Sequence, residues 1–302
     1  MTKNGAVGAF IHPEDERARR QLEAIPGFSA VVKAFLRVGL ERVVHGVSMA
    51  EKIRLGPEQL PDLYHRIKPV CARLDITEPE FYLEMNPAPN AYTTGDTRTF
   101  LTITSGLVEY LDSDELNAVL AHECGHIACR HVLYHTMAAL LLQGSMFSAF
   151  TAPFTKPMQL ALLYWQRRSE LSADRAAAAA LGSGGPVVET MIRLSGGPKS
   201  ITGAVNIDAY AAQADAYDEM LASTWDSLLQ GMAVMNHSHP FAAVRVREIR
   251  HWAAGDEFNR LCDALAENER QRRCPACGFF PESAWKFCRE CGTQLPERKE
   301  ML

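Results

Sequence analysis

Apolar positions along this chain recur mostly at helical spacing, and the strand-like exceptions are short. In residues 1–58, Leu22, Ile25, Val31, Val32, Phe35, Leu36 and Leu40 follow a helical period interrupted at Pro26-Gly27. A helix is predicted from about Pro61 to Leu74, with Leu63, Ile67, Val70 and Leu74 on one face. Phe81–Met85 and Arg98–Thr104 are rich in β-branched and aromatic residues and predict two strands, with a turn at Asn86–Asn90 between them. Asp112, with Glu115 three residues on, is a capping box that starts a helix carrying Leu116, Val119, Leu120 and Ile127. Residues 132–154 contain no Asp, Glu, Lys or Arg, and prolines at 153 and 157 break the pattern. A long helix runs from about Pro157 to Leu181 through the alanines 176–180, and Gly182–Pro186 ends it. A helix from about Phe241 to Trp252 is arginine-rich, and 256–272 reads as a charged helical linker.

Composition narrows this picture. The chain has 302 residues, 47% of them hydrophobic, which is enough for a full core. A net charge of −5 argues against a nucleic-acid binder. Cys71, Cys124, Cys129 and Cys262 stand singly, and four more cysteines form two C-x-x-C pairs, a usage that suits a reducing, cytoplasmic compartment better than a disulfide framework. The first residues lack the apolar core of a secretory signal. The stretch 132–154 is long enough to raise a membrane-spanning reading through 132–165. His135, Gln143 and Gly144 within it favour a buried helix.

The chemistry concentrates at His122-Glu123-Cys124-Gly125-His126, an H-E-x-x-H placed inside the capped helix. Residues four apart share a helix face, so two imidazoles can hold one zinc ion and Glu123 can take a proton from its water. A third ligand is needed. A downstream histidine in the H-E-x-x-H-x-x-G-x-x-H register fails, because Cys129 and Val132 occupy the Gly and His positions and His131 is off register. Glu170 is the first carboxylate after the motif and lies on a predicted helix, with Asp174 one turn later able to fix the tautomer of a ligating histidine. The alternative for both is a solvated helix face pairing with Arg167, Arg168 or Arg175. Cys274-x-x-Cys277 and Cys288-x-x-Cys291 have the spacing of a four-thiolate structural zinc ribbon, with Gly278 and Gly292 permitting the tight turns. Such a ribbon depends on its metal to fold, and protein docking is its expected use.

These segments resemble the HtpX-like zinc peptidases, the gluzincin group that includes the CAAX prenyl endopeptidase. Asn90–Gly95 is similar to that family's N-A-F/Y-x-x-G segment, Thr104–Leu107 to the element before its metal helix, and Asp114–Glu123 to the helix itself. Glu170–Asp174 matches its E-x-x-A-D segment, and His239-Pro240 with Arg245 resembles its late H-P…R element. The resemblance implies a mainly α (α+β) core with a small sheet beside the H-E-x-x-H helix. It implies zinc on His122, His126 and Glu170, Glu123 as general base, and Asp174 behind a ligand. Asn90, Ala91 and Tyr92 would bind polypeptide substrate by strand addition, and His239 and Arg245 would stand near the site, steadying the oxyanion or, for His239 with His237 as rival, closing it as a fourth ligand. The implied organisation is a helical extension (1–58), a metallopeptidase domain (59–255), a helical linker (256–273) and a zinc ribbon (274–302). The expected activity is metalloendopeptidase, in protein quality control or processing, with one catalytic and one structural Zn²⁺. The alternative is a latched peptidase fold acting as a chaperone or scaffold through its ribbon.

Overall fold

The structure is a computed structural model that describes residues 8–37, 39–142, 155–220, 242–282 and 285–296. Helix α1 (Pro13–Glu23) begins on His12, whose imidazole accepts the Glu14 N–H, and Pro13 with three acidic residues fills its first turn. Proline at the first position and negative charge near the N-terminus both favour that start. Gly27, at φ 87°, turns the chain into α2 (Phe28–Arg37), and α3 (Leu40–Glu51) follows. These helices are packed. Leu22, Phe28, Val31 and Phe35 share a buried cluster with α8 (Val132–Leu142) and the start of the long helix α9 (Lys156–Leu181), where Trp165 is fully buried.

The expected helix over 61–74 is divided into α4 (Pro61–Tyr64) and α5 (Ile67–Leu74). Pro69 explains the break: a proline ring clashes with the carbonyl four residues earlier, here that of His65. Four strands form one sheet in the order β1-β2-β4-β3. The two expected strands are β2 (Glu80–Glu84) and β4 (Thr99–Thr104), which run parallel. Two more were not expected: β1 (Ile53–Arg54), antiparallel to β2, and β3 (Ala91–Gly95), antiparallel to β4 along the outer edge. β3 is too short and too closely flanked by turn residues to declare itself; pairing with β4 makes it a strand.

After α6 (Ser105–Tyr110) comes α7 (Ser113–Ala128), started by the expected capping box. Asp112 accepts from the backbone of Asp114 and Glu115, and Glu115 Oε2 accepts from Asp112 N at 2.9 Å. α7 lies against α9 at very close range. A Cβ on Gly125 would meet the Ala173 carbonyl oxygen at 2.8 Å and Ala176 Cβ at 3.0 Å, and alanines 176–179 of α9 are completely buried. Small residues here let two backbones approach, which is their tertiary use beyond helix propensity.

α10 (Gly185–Gly196), α11 (Lys199–Thr202), α12 (Ile207–Met220) and α13 (Ala242–Ala253) close the far side. Helix α14 (Asp256–Arg272), expected as a linker, is packed instead. Phe258, Leu261 and Leu265 are buried in the main core, and Arg73 of α5 binds Glu269 at 2.5 Å. Its polar residues outnumber the apolar ones, so only the one stripe that meets α5 betrays the packing. Among the described residues no helix is long and apolar enough to cross a membrane. Residues 143–154 of the questioned stretch lie outside the described residues.

Candidate active site

Helix α7 presents His122, Glu123 and His126, all buried, toward α9. The two imidazole Nε2 atoms stand 3.1 Å apart. Glu170, from the middle of α9, brings Oε2 to 3.4 Å from His122 Nε2 and Oε1 to 3.4 Å from His126 Nε2. A tetrahedral ion with bonds of ~2.0–2.1 Å separates its ligand atoms by about 3.3 Å, so this set fits one metal ion without rearrangement. The solvated-face alternative for Glu170 and Asp174 is excluded, since both are fully buried.

Each nitrogen turned away from that point has a partner. His122 Nδ1 lies 2.9 Å from Asp174 Oδ1. His126 Nδ1 lies 3.1 Å from the Nδ1 of His131, the histidine that the ligand register excludes. Arg245, on α13, binds both oxygens of Asp174 at 2.6 and 2.7 Å and reaches Glu170 Oε2 at 3.3 Å. Burial opposes ionisation of Asp174, but the Arg245 guanidinium and His122 outweigh it and hold the carboxyl below its usual range. Burial likewise opposes charge on His122, yet Asp174 and Glu170 raise it to about 10. Burial dominates at His126 and pushes it down. Carboxylates this close favour a cation between the imidazoles, whether proton or metal ion.

Glu123 Oε2 accepts from the Thr93 hydroxyl at 3.1 Å. A cavity of about 260 Å³ opens beside it, lined by Asn90, Ala91, His122, Glu123, Val187 and Met191 among others. Tyr92 is elsewhere: its hydroxyl binds Glu84 at 2.6 Å and Lys52 at 2.7 Å on the opposite face of the sheet from Thr93. Sequence reasoning therefore missed Thr93, whose side chain alternation on a strand turns inward while that of Tyr92 turns away. Arg245 approaches the site through Asp174 and Glu170. His239 and His237 lie outside the described residues. Cys124 and Cys129 are buried thiols, as expected.

The four tail thiols gather separately. Cys274 and Cys291 sulfurs are 3.6 Å apart, as are those of Cys277 and Cys288. Ligand atoms around one tetrahedral ion with metal–sulfur bonds of ~2.3 Å sit about 3.8 Å apart, so the four can hold one ion. Gly278 and Gly292, at φ 74° and 73°, make the left-handed turns after each pair.

The sequence model of Peptidase family M48 matches residues 57–253, more than half of the chain. The chain belongs to peptidase family M48. M48 metallopeptidases use zinc, and the chain is a metalloprotease. This M48 chain is 33% identical over 255 residues to "Plastoglobule-localized metallopeptidase 48, chloroplastic" of Arabidopsis thaliana, covering 83% of this chain and 74% of that protein. It is 37% identical over 86 residues to "Protease HtpX homolog" of Sulfurihydrogenibium sp., covering 28% of this chain and 29% of that one. It is 32% identical over 142 residues to the Salinibacter ruber "Protease HtpX homolog", covering 44% and 51% respectively. No solved structure matches. The M48 match begins at residue 57, so α1, α2 and α3 lie before it.

Proposed function

We propose that this M48 protease is a zinc-dependent endopeptidase in which His122, His126 and Glu170 hold the metal and Glu123 moves the proton. The carrying observation is that two buried imidazole Nε2 atoms 3.1 Å apart each have a Glu170 carboxylate oxygen at 3.4 Å, brought by two helices. A zinc ion held there supplies Lewis-acid polarisation of a carbonyl oxygen and acidifies a water. Glu123, facing the cavity, accepts the proton of the attacking water and returns it to the leaving amide nitrogen. Thr93 orients this carboxylate by donating to its Oε2. Asp174 fixes the His122 tautomer by accepting from Nδ1, and Arg245 neutralises Asp174 and Glu170 from behind.

The substrate is an extended polypeptide laid along β3. Asn90 O accepts from Thr104 N, and the Gly95 N–H turns outward to Thr136 Oγ1 at 3.2 Å. Alternation along the strand therefore directs the main-chain groups of Ala91 and Thr93 away from β4, toward the cleft. Those two residues, rather than Tyr92, supply the pairing. Protein quality control or processing is the physiological role we assign to this activity.

A second zinc ion in the Cys274–Cys291 site is structural, because four thiolates leave no open position. The test is casein cleavage by wild type and Glu123→Gln, with zinc counted in both. Two zinc ions per chain in each and cleavage by wild type alone is the expected result. Cleavage by a clean Glu123→Gln preparation refutes the mechanism.

A further inference from the structure

We propose that Asp15, on the N-terminal helix α1, is a positioning residue of the metal centre and acts on His126 through His131. The inference rests on the reading of His126 as a metal ligand. It concerns a helix that precedes the M48 match by more than thirty residues.

Asp15 is 1% exposed, an unusual place for a carboxylate unless it is fully bonded. Three donors converge on it. Trp165 Nε1 reaches Oδ1 at 2.9 Å, Ser172 Oγ reaches Oδ2 at 2.5 Å, and His131 Nε2 stands 3.0 Å from Oδ2. Trp165 and Ser172 belong to α9, the helix that also carries Glu170. His131, itself 1% exposed, has its other ring nitrogen 3.1 Å from His126 Nδ1.

With both imidazoles neutral, the protons in this row have one arrangement that makes every hydrogen bond. A carboxylate only accepts, so His131 carries its hydrogen on Nε2 and directs it at Asp15. His131 Nδ1 is then an acceptor. His126 must meet it with a hydrogen on Nδ1, which leaves the His126 Nε2 lone pair pointing at His122 and Glu170. That is the tautomer able to bind a metal. Reversing His131 would aim its Nε2 lone pair at a buried carboxylate, and reversing His126 alone would leave two buried nitrogens facing each other without a hydrogen.

The centre is thus two-sided. His122 is held directly by Asp174, whereas His126 is held one imidazole further out, by a carboxylate from α1. Around this row the structure is packed. Trp165 stands edge-on to the rings of His131 and His135, with centroids 5.4 Å away in both cases. His12 N donates to Ser172 Oγ at 2.9 Å, which fixes the start of α1 over α9. Residues 13–23 therefore complete the metal site as well as covering it.

The test uses the full chain and cobalt(II) as probe. Thiolate ligation in the tail gives intense charge-transfer bands, and a His/Glu site gives only weak d–d bands, so the two sites are read separately. Asp15→Asn keeps the shape but places an amide N–H₂ among three donors. His131→Phe keeps ring packing and removes both nitrogens. Leu22→Ala, on the same helix and fully buried, loosens α1 without touching the row. Chelator competition on the weak-band site should show about 10–100-fold weaker binding in Asp15→Asn and His131→Phe. Leu22→Ala should bind as wild type despite a lower Tm.

Wild-type affinity in both row variants overturns the proposal. An equal loss in Leu22→Ala also overturns it, by reducing Asp15 to a structural tether. If the wild type takes no cobalt outside the thiolate site, the metal-site reading itself fails and takes this inference with it. If wild type binds there, Glu170→Gln does not and the row variants match wild type, only the role of Asp15 fails.

Discussion

Replacing Gly125 by alanine should damage metal binding much more than folding. Gly125 sits between His122 and His126, on the face of α7 that meets α9. An added Cβ would lie 2.8 Å from the Ala173 carbonyl oxygen, 3.0 Å from Ala176 Cβ and 3.2 Å from Ala173 Cα. Two of these three atoms are backbone, so rotamer changes cannot relieve the contact. Restoring ordinary van der Waals separation requires the helices to part by about 0.6 Å. Glu170 and Asp174 ride on α9, and the two histidines ride on α7. The parting therefore widens the ligand set by more than the ~0.2 Å that a metal site tolerates.

Overpacking costs about 1–3 kcal/mol. The better helix propensity of alanine returns up to about 1 kcal/mol. Net destabilisation is about 3 kcal/mol at most, a Tm decrease of several degrees. The assay is metal affinity by chelator competition beside thermal unfolding and casein cleavage. The expectation is a folded variant with at least tenfold weaker metal binding at the His/Glu site and little cleavage. A Gly125→Ala chain that binds and cleaves like wild type would refute the claim that helix approach sets the site.

Three further outcomes follow from named contacts. Arg245→Met leaves Asp174 and Glu170 buried without their cation, at a cost of about 3–5 kcal/mol. Added zinc should recover more Tm in the variant than in wild type, and an unchanged Tm without metal would contradict the pairing. Glu248 has its carboxyl lowered from 4.5 to about 2 by the His12 imidazole and by Arg247, with burial opposing. The folded pKa is depressed, so this stabilisation is complete above about pH 4.5 and disappears as pH falls toward 2. Urea unfolding from pH 6 to 2 should show a shallower acid loss in Glu248→Gln, and parallel curves would refute the assignment. Cys288→Ser removes a buried ribbon ligand. Zinc content should fall by one per chain and residues 274–296 should become protease-sensitive while cleavage of casein continues. Unchanged zinc content would sink the four-thiolate site.

The metal helix was legible in the sequence because everything that defines it is local. A capping box spans four residues, an i,i+4 pair shares a face at any helix position, and the Glu170/Asp174 spacing repeats the same geometry on a later helix. The tail thiols were legible for the same reason, since each C-x-x-C pair is a turn with its own glycine. The sequence also carried the order of these motifs, from which the family resemblance followed.

Contacts between distant segments could not be read that way. β3 exists because β4 pairs with it, and its alternation selects Thr93 over Tyr92 as the residue facing Glu123. Arg245 meets Asp174 across 71 residues of chain. Asp15 meets His131 across 116. Nothing in the periodicity of either partner encodes the other, because helical and strand periods report only which face is buried, never against what. α14 likewise showed a polar composition and concealed its packing stripe. The sequence by itself determined which side chains share a face and can bind metal. The tertiary structure alone decided how near α7 lies to α9, and hence that the Glu170 carboxylate reaches both imidazole Nε2 atoms at 3.4 Å.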